Sequence, residues 1–339
     1  MDRRSACTLA DMTGIKFIGL AVLALAVAGC GDEDEKKTSK SDSGTPSGWQ
    51  AAVGADGTFA QTFDGVTWST RSLGPEDLFA VTCVGNLDGW AAGENGFIGR
   101  TRNGGESWQP QSSGTKVSLR AIHFAHDYGA GALSGVVAGD SGFLAVSTNG
   151  GELWAPVSSG VQVALRSATA ALNADLIVVV GDAGTVLRSV DLGQSWQAQT
   201  LQGAGDLRGV EVTPSGSLLL TVDSKGQIWS SQDLGKSFTL ETTAKHPLNA
   251  VALSADATKA LAGGDAGVAL RRSPTGQWTE TPTGSGKTLR AAMITHDGLR
   301  EFLAGEGGTL LGAAGLGAFA QPALGTQATL HGLEDLDPH

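Results

Sequence analysis

Residues 165–196 read LRSATAALNADLIVVVGDAGTVLRSVDLGQSW and contain, in order, three marks that determine the fold. The first is a short apolar strand that begins with Leu-Arg at Leu165. The second is the sequence G-D-A-G, which starts at Gly181 between two apolar runs; glycine-bounded turns of this kind join the strands of a hairpin. The third is the octet SVDLGQSW, which begins at Ser189. This stretch therefore predicts short antiparallel strands joined by tight turns.

The same three marks recur along the chain. The leucine that opens the apolar strand occurs at Leu78, Leu119, Leu165, Leu207, Leu248, Leu289 and Leu330. The glycine-bounded turn starts at Gly54, Gly93, Gly139, Gly181, Asp223, Gly264 and Gly305. The third mark ends in an aromatic residue at Trp68, Trp108, Trp154, Trp196, Phe238, Trp278 and Phe319, with spacings of 40, 46, 42, 42, 40 and 41 residues. The sequence is therefore a sevenfold repeat, and such periods are typical of propellers and other repeat folds.

The octet that begins at Ser189 matches the Asp-box motif, S-x-D-x-G-x-[ST]-W, and residues 231–238, 147–154 and 101–108 are near matches. Residues 62–68 are one position short, whereas 271–278 and 312–319 keep only the aromatic. In such a turn the hydroxyl and the Asp or Asn oxygen accept backbone N–H bonds, and glycine takes a positive φ. We therefore predict a structural role, without metal binding or acid catalysis, for Asn103, Trp108, Asn149, Trp154, Ser189, Asp191, Gly193, Trp196, Asp233 and Gly235.

Each repeat predicts four short strands, and a sheet of this size cannot bury both faces alone. Seven such sheets arranged radially can, and closing the circle leaves only short outer edges. We therefore predict an all-β fold, a seven-bladed β-propeller of four-stranded blades. The repeats begin near Gly48 without a Leu strand and end with the Leu330 strand without a turn or box. We predict that residues 330–336 pair into the N-terminal blade and close the ring.

The first 47 residues are predicted to lie outside this fold. Lys16 precedes an uncharged run at 17–28, which suits a signal-peptide core but is shorter than the ~20 residues that span a bilayer. The run ends in LAVAGC and resembles the bacterial lipobox, whose cysteine is lipidated. We expect a lipoprotein signal peptide at 1–29, a lipidated Cys30 with a flexible polar linker at 30–47, and the propeller at 48–339. A generic signal peptide with an incidental Cys30 is the alternative, and Met12 is a second candidate start.

Composition excludes several classes of function. The formal net charge is −11, and no run of Lys and Arg is long enough to neutralise many phosphates, so we expect no nucleic-acid partner. Three cysteines without C-x-x-C spacing cannot build a disulfide framework or a typical zinc site. Cys83 lies in an apolar strand, which favours a buried small hydrophobe over a nucleophile. We expect no metal and no cofactor.

Residues 48–336 resemble the photosystem II stability and assembly factor propellers, whose bacterial relatives are exported Asp-box proteins. The resemblance depends on the repeat spacing, the G-[DE]-x-G turns and the Leu-Arg strand starts, as at Leu165, Leu207 and Leu289. It implies an assembly chaperone that holds a membrane-protein partner without chemistry. We therefore expect a non-catalytic, monomeric protein-binding or assembly and stability factor. Its lipid would attach it to the bacterial envelope, and Gly31 after the cysteine favours the outer membrane, facing the periplasm or the cell surface.

Asp-boxes also occur in sialidases, so a glycoside hydrolase or a carbohydrate-binding propeller is the alternative. A sialidase needs clustered arginines, a Tyr nucleophile with a Glu partner, and an acid Asp. Tyr128 is the only tyrosine, and no Arg-Ile-Pro signature is present. Tyr128 lies in the longest repeat, within an extended loop that is a candidate partner contact.

Arginines follow the opening leucine in four repeats, at Arg120, Arg166, Arg208 and Arg290. In a propeller, an inner strand begins on the face that carries the turn between the second and third strands. These arginines should therefore share a face with the turn acids Glu94, Asp140, Asp182, Asp265 and Glu306. These arginines and acids would form two rings on one face. Either the arginine ring pairs with the acid ring and locks neighbouring blades, or the arginines bind a partner's carboxylates around the channel mouth. Together with Tyr128, they are the predicted partner-binding residues.

Overall fold

The computed structural model describes residues 49–85, 87–125, 134–172 and 176–335. The strands in this part of the chain are β1 Gln50–Gly54, β2 Thr58–Thr62, β3 Ser69–Ser72, β4 Leu78–Val84, β5 Asp88–Gly93, β6 Ile98–Thr101, β7 Gln109–Gln111, β8 Leu119–Ala125, β9 Ser134–Gly139, β10 Leu144–Ser147, β11 Ala155–Pro156, β12 Leu165–Ala170, β13 Ile177–Gly181, β14 Thr185–Ser189, β15 Gln197–Thr200, β16 Leu207–Val212, β17 Leu219–Asp223, β18 Gln227–Ser231, β19 Thr239–Thr243, β20 Leu248–Leu253, β21 Ala260–Gly264, β22 Ala269–Arg272, β23 Trp278–Glu280, β24 Leu289–Ile294, β25 Arg300–Gly305, β26 Thr309–Ala314 and β27 Leu330–Asp335. No helix in the described ranges is both long enough and apolar enough to span a membrane.

The strands form seven antiparallel blades, which confirms the predicted propeller. Blade 1 has the order β27-β1-β2-β3, and blades 2 to 6 are β4 to β7, β8 to β11, β12 to β15, β16 to β19 and β20 to β23. In blade 7, β24 to β26 form a three-stranded sheet, and the fourth strand is reduced to one bridge between Gly312 and Ala320. The predicted fourth strand is therefore present in blade 7 in its shortest form. Pro322 follows two residues later and cannot donate a ladder hydrogen bond.

The C-terminal strand closes the ring as predicted. β27 pairs antiparallel with β1, with Gln50 opposite Asp335 and Ala52 opposite Leu333. The Gln50 side-chain amide donates to Asp335 Oδ1 at 2.9 Å. Position 336, which the sequence assigned to this strand, lies outside the described residues. Pairing of the two ends of the described chain therefore gives blade 1 its inner strand.

The hydrophobic core lies between the blades, because each sheet packs its two faces against the sheets of the neighbouring blades. β1, β2, β13 and β14 are buried along their whole length, whereas the outermost strands β3 and β15 are exposed. At the junction of blades 2 and 3, the Trp90 ring stacks on Phe124 with 3.9 Å between centroids. Trp154 of blade 3 meets the same Phe124 edge-on. The aromatic that ends a repeat thus packs into the core.

The antiparallel order gives the ring two distinct faces. We call the turn face the one that carries the start of each inner strand and the turn between the second and third strands. We call the Asp-box face the opposite one, where the third strand leads into the Asp-box and the inner strand into the second strand. β1 begins on the Asp-box face and β27 ends there.

The glycine that opens each turn permits a close backbone contact. A Cβ on Gly181 would overlap the carbonyl oxygen of Ala164, just before the inner strand of the same blade. That carbonyl accepts a hydrogen bond from Asp182 N at 3.0 Å. The contact holds the turn acid beside the first residues of the inner strand. Blade 5 keeps only part of this design: Asp223 replaces the glycine, and its carboxylate accepts from Gly205 N at 2.8 Å.

Candidate functional site

A ring of seven side chains surrounds the mouth of the central channel on the turn face. In blade 4, Leu165 lies opposite Gly181. The next paired residue is Ser167, opposite Val180, so Arg166 is the extra residue of a β-bulge. The same shift occurs in every blade, and the extra residues line one cavity of about 160 Å³. In blade order they are His331, Phe79, Arg120, Arg166, Arg208, Asn249 and Arg290.

Three of the predicted arginines pair with turn acids. Arg120 Nε and Nη2 donate to the two carboxylate oxygens of Asp140 at 2.5 and 2.9 Å. Arg166 makes the same bidentate pair with Asp182 through its Nε and Nη2 atoms. Arg290 Nη2 donates to Glu306 Oε1 at 2.8 Å. Each pair lies within one blade, so the rings do pair but do not lock neighbouring blades.

A backbone contact explains why pairing stays within a blade. The backbone contact before each inner strand already brings the turn acid to its own arginine, and no bridging between blades is needed. The hydrogen bonds that Arg166 donates to Asp182 raise the pKa of Arg166, and the bond that Arg290 donates to Glu306 lowers the pKa of Glu306. All three pairs remain partly exposed to solvent. Exposed pairs of this kind contribute roughly 0 to 1 kcal/mol of stability.

Arg208 differs from the other arginines of the ring. In the turn of its blade, Ser224 stands where blades 2, 3, 4, 6 and 7 have an acid. Arg208 Nη1 instead donates to Asn249 Oδ1 of blade 6 at 2.6 Å. Asn249 Nδ2 in turn donates to Asp265 Oδ1 at 2.9 Å. Within the described residues, Arg208 has no carboxylate within ion-pair distance, so its charge is the least compensated of the ring.

The two remaining ring positions make one side of the mouth aromatic. The rings of Phe79 and His331 meet edge-on with 5.5 Å between centroids. The Arg120 guanidinium lies 4.9 Å from the Phe79 centroid, within range of a cation–π interaction. Burial, followed by the charge of Arg290, lowers the pKa of His331, which keeps its imidazole neutral at pH 7. The mouth therefore offers a cationic arc over blades 3 to 5 next to an aromatic sector.

Two carboxyl groups line the channel below this ring and were missed by the sequence analysis. Glu211 Oε1 accepts from Thr169 Oγ1 at 3.0 Å and from Val212 N at 3.2 Å. Glu211 and Glu334 line both the cavity below the ring and a second cavity of about 240 Å³ beyond it. A charged residue within an apolar inner strand, as in LRGVEV and LHGLED, is the signal that could have identified them.

Burial in the channel favours the protonated form of both carboxyl groups. It raises the pKa of Glu211 to about 7. It raises the pKa of Glu334 well above the ordinary value, with further contributions from Glu211 and Asp335. Cys83, close to this pair, is buried, and burial raises the pKa of its thiol. In the described ranges, no group of three or more His, Cys, Asp or Glu side chains could hold a metal ion.

Replacing Glu211 by Gln should remove a pH-dependent loss of stability. A folded-state pKa raised from 4.5 to about 7 means that stability is fully present below pH 4.5 and is lost as the pH rises through 7. The loss is at most about 3.5 kcal/mol, since one pKa unit corresponds to ~1.4 kcal/mol. Denaturant unfolding at pH 5 and pH 8 measures it. We expect Glu211→Gln to be more stable than wild type at pH 8 only; equal stabilisation at both values would contradict the burial argument. Glu280→Gln, on the exposed strand β23, is the control.

The Asp-boxes close tight turns on the opposite face. Ser189 Oγ accepts from Gly193 N, and Asp191 Oδ1 accepts from Ser195 N, both at 2.9 Å. Trp196 Nε1 donates to Gly193 O at 3.0 Å. The same hydroxyl and carboxamide or carboxylate contacts are made by Asn103, Asn149, Asp233 and Gly235 in their own turns. These hydrogen bonds lower the pKa of Asp191 and Asp233, which leaves each carboxylate engaged within its turn.

The short box of blade 1 closes as well, although the sequence is one position short there. Thr62 Oγ1 accepts from Gly65 N at 3.0 Å, and Asp64 Oδ1 accepts from Val66 N at 2.8 Å. Tyr128 and Cys30 lie outside the described residues, so their predicted roles stay predictions.

Comparison with known proteins agrees with this architecture. Residues 77–318 match the family described as Photosynthesis system II assembly factor YCF48. Among solved structures, the chain is similar to "YCF48 bound to D1 peptide" (17% identity, TM-score 0.59, 83% of this chain and 85% of that chain). It is also similar to YCF48 from Cyanidioschyzon merolae (16%, 0.60, 83% and 90%) and to a nidogen/laminin complex (11%, 0.56, 85% and 98%). At these identities the structural likeness shows the fold alone. No curated protein matches the chain.

Proposed function

Because this chain belongs to the photosystem II assembly factor YCF48 family, we propose that it is a non-catalytic factor that binds a segment of another protein at the turn face. The family match confirms the resemblance seen in the repeats. A YCF48 structure has been solved with a D1 peptide, and that peptide is the partner of that protein. For this chain we propose only the class of partner: a protein segment that carries carboxylates.

The ring at the channel mouth is the observation that carries this proposal. Arg120, Arg166 and Arg208 stand in three consecutive blades around one cavity. Guanidinium groups recognise carboxylates through paired hydrogen bonds, and partly exposed pairs with turn acids can be exchanged for a partner's acid at little cost. Arg208 lacks an acid of its own among the described residues. It is therefore the arginine that can bind a partner's carboxylate without first giving up an ion pair. Phe79 beside Arg120 adds an apolar surface for a neighbouring side chain of the partner.

The experiment that tests this function is capture of the partner from native membranes. The tagged chain is crosslinked in cells, purified from detergent extracts, and the copurifying proteins are identified. We expect one membrane protein to be enriched over an unrelated envelope lipoprotein used as bait. Capture that retains no protein above that control would contradict the proposal.

We also propose that Cys30 carries a lipid that holds the propeller at the envelope membrane. The support is the lipobox-like sequence that ends at Cys30. Replacing Cys30 by Ser removes the thiol that would carry the lipid, so the protein should move from the membrane to the soluble fraction. Fractionation with metabolic palmitate labelling measures this. Label that persists in the Ser variant would overturn the anchor, and Cys83→Ser, at a buried thiol, is the control that should keep the label.

A further inference from the structure

Exposed apolar side chains are concentrated on the Asp-box face. Among the described residues, ten large hydrophobic side chains are strongly exposed, and Leu240, on the outer strand β19, is the exception to their placement. The other nine lie in Asp-boxes or in the loops between inner and second strands: Phe63, Val66, Leu87, Leu153, Val190, Leu192, Leu234, Leu299 and Leu316. Scattered exposed hydrophobics are common on proteins, but their restriction to one face is not explained by chance exposure.

Four of these side chains lie in neighbouring loops at the junction of blades 7 and 1. We call them the apolar rim: Phe63, Val66, Leu299 and Leu316, exposed by 54, 63, 63 and 75%. The loops that carry them touch. Leu299 O accepts from Gly315 N at 2.7 Å, and Arg300 Nη1 donates to Asp64 O at 2.5 Å.

The backbone of the loop that carries Leu316 is held by the Arg271 side chain of the neighbouring blade. Arg271 Nη2 donates to Gly317 O at 2.9 Å, and Arg271 Nη1 donates to Leu316 O at 3.3 Å. The Leu316 side chain is thus presented outward by a braced backbone. A braced apolar loop tip can insert into an apolar phase without first losing conformational entropy.

The described chain starts beside this rim. β1 begins at Gln50, on the Asp-box face of blade 1, and the same blade carries Phe63 and Val66. Cys30 precedes Trp49 by 19 positions, a distance that even a fully extended chain covers with at most about 65 Å. The tether to a lipid on Cys30 would therefore enter the propeller on the Asp-box face, in the blade that carries part of the rim.

We propose that the apolar rim docks on a lipid bilayer surface, so that the Asp-box face is membrane-facing and the arginine ring points away from the bilayer. This deepens the proposed function and rests on the anchor at Cys30. The acidic residues around the rim, among them Asp64 and Asp297, match a zwitterionic lipid surface better than an anionic one. The turn face is then free to receive the partner's segment.

Depth-dependent quenching of a fluorophore tests the docking separately from the anchor. The chain from position 30 onward, with Cys30→Ser and an N-terminal hexahistidine tag, is attached to phosphatidylcholine vesicles through nickel-chelating lipid. The environment-sensitive dye NBD is placed on Val66→Cys, Leu316→Cys or, on the turn face, Lys287→Cys. Cys83 is buried and should not be labelled. Vesicles with lipid brominated in the acyl chain should quench the dye at positions 66 and 316 about twofold and leave position 287 unchanged.

Two results would overturn the docking: no quenching at positions 66 and 316, or equal quenching at all three positions. Leu299→Ser combined with Phe63→Ser should weaken the quenching at position 316, whereas Leu240→Ser, on the outer strand, should not. The native lipid plays no part in this assay. Failure of the Cys30 anchor would therefore show in fractionation alone, and failure of the rim would show in quenching alone.

Discussion

Deleting residues 330–336 should abolish the cooperative fold of the propeller. Blade 1 would lose its inner strand, and β1 would expose an unpaired edge that templates aggregation. Leu330 and Leu333, both buried in the cluster between blades 7 and 1, would also be lost. Two buried leucines and a strand of ladder hydrogen bonds are together worth on the order of 5 kcal/mol, comparable to the whole stability of many domains. Thermal unfolding and size-exclusion chromatography measure the effect.

A circularly permuted chain tests whether the pairing of β27 with β1 matters, and not the position of β27 at the C-terminus. Gln50 lies opposite Asp335, so residues 328–335 can be moved ahead of Trp49 through a short hairpin turn. We expect this permutant to restore the melting temperature of wild type. A chain that ends at Asp335 is the control for truncation itself and should be unaffected. Unchanged melting of the 330–336 deletion would show that the ring does not depend on this strand.

Replacing Arg271 by Met should destabilise the junction of blades 6 and 7 by about 3 to 5 kcal/mol, because it leaves a buried carboxylate without its counter-ion. Arg271 Nε donates to Glu301 Oε2 at 2.6 Å, and Glu301 is 2% exposed. The Arg271 guanidinium also lies 4.6 Å from the centroid of Phe319. Denaturant unfolding measures the change. Arg102→Met, at an exposed pair with Glu152, is the matched control and should cost roughly 0 to 1 kcal/mol.

Two further observations would identify the unpaired charge as the cause. Burial already raises the pKa of Glu301, so the Arg271→Met variant should regain stability as the pH falls and this carboxyl takes up a proton. The double variant Arg271→Met with Glu301→Leu should recover most of the loss, since an apolar pair can replace a buried ion pair. A single variant within 0.5 kcal/mol of wild type, on the scale of ordinary surface substitutions, would contradict this account.

The repeat spacing was sufficient to predict the propeller, its blade number and its closure, because each mark has a local physical cause. The glycine before Asp182 permits a backbone contact, and Ser189 with Asp191 closes its turn whatever the neighbouring blade contains. The strand after Phe319 is the shortest of the predicted outer strands, a single bridge from Ala320 to Gly312.

The site was harder to predict, because its geometry comes from contacts between repeats. The bulge that turns Arg166 toward the channel depends on the register of β12 on β13, which no local pattern specifies. Arg208 reaches Asn249 only because blade 5 lacks a turn acid and blade 6 lies beside it. Arg271, which stands where an Asp-box would have its serine, gave no sign of its partner Glu301 in the next blade. The pairing of each ring arginine with the turn acid of its own blade likewise depends on the backbone contact before the inner strand, which the sequence does not show.

The arginine ring as a carboxylate-binding site is the central claim, and partner capture by a triple variant tests it most directly. Arg166, Arg208 and Arg290 are changed together to Ala, and the crosslinked partner is quantified beside the melting temperature. The control removes three positive charges from the Asp-box face: Arg102→Ala, Lys236→Ala and Arg300→Ala. We expect the ring variant to lose about tenfold or more of the captured partner, as two charge-assisted contacts would require, with little change in melting, while the control retains capture. Intact capture together with a large fall in melting temperature would assign the arginines to stability alone and contradict the claim.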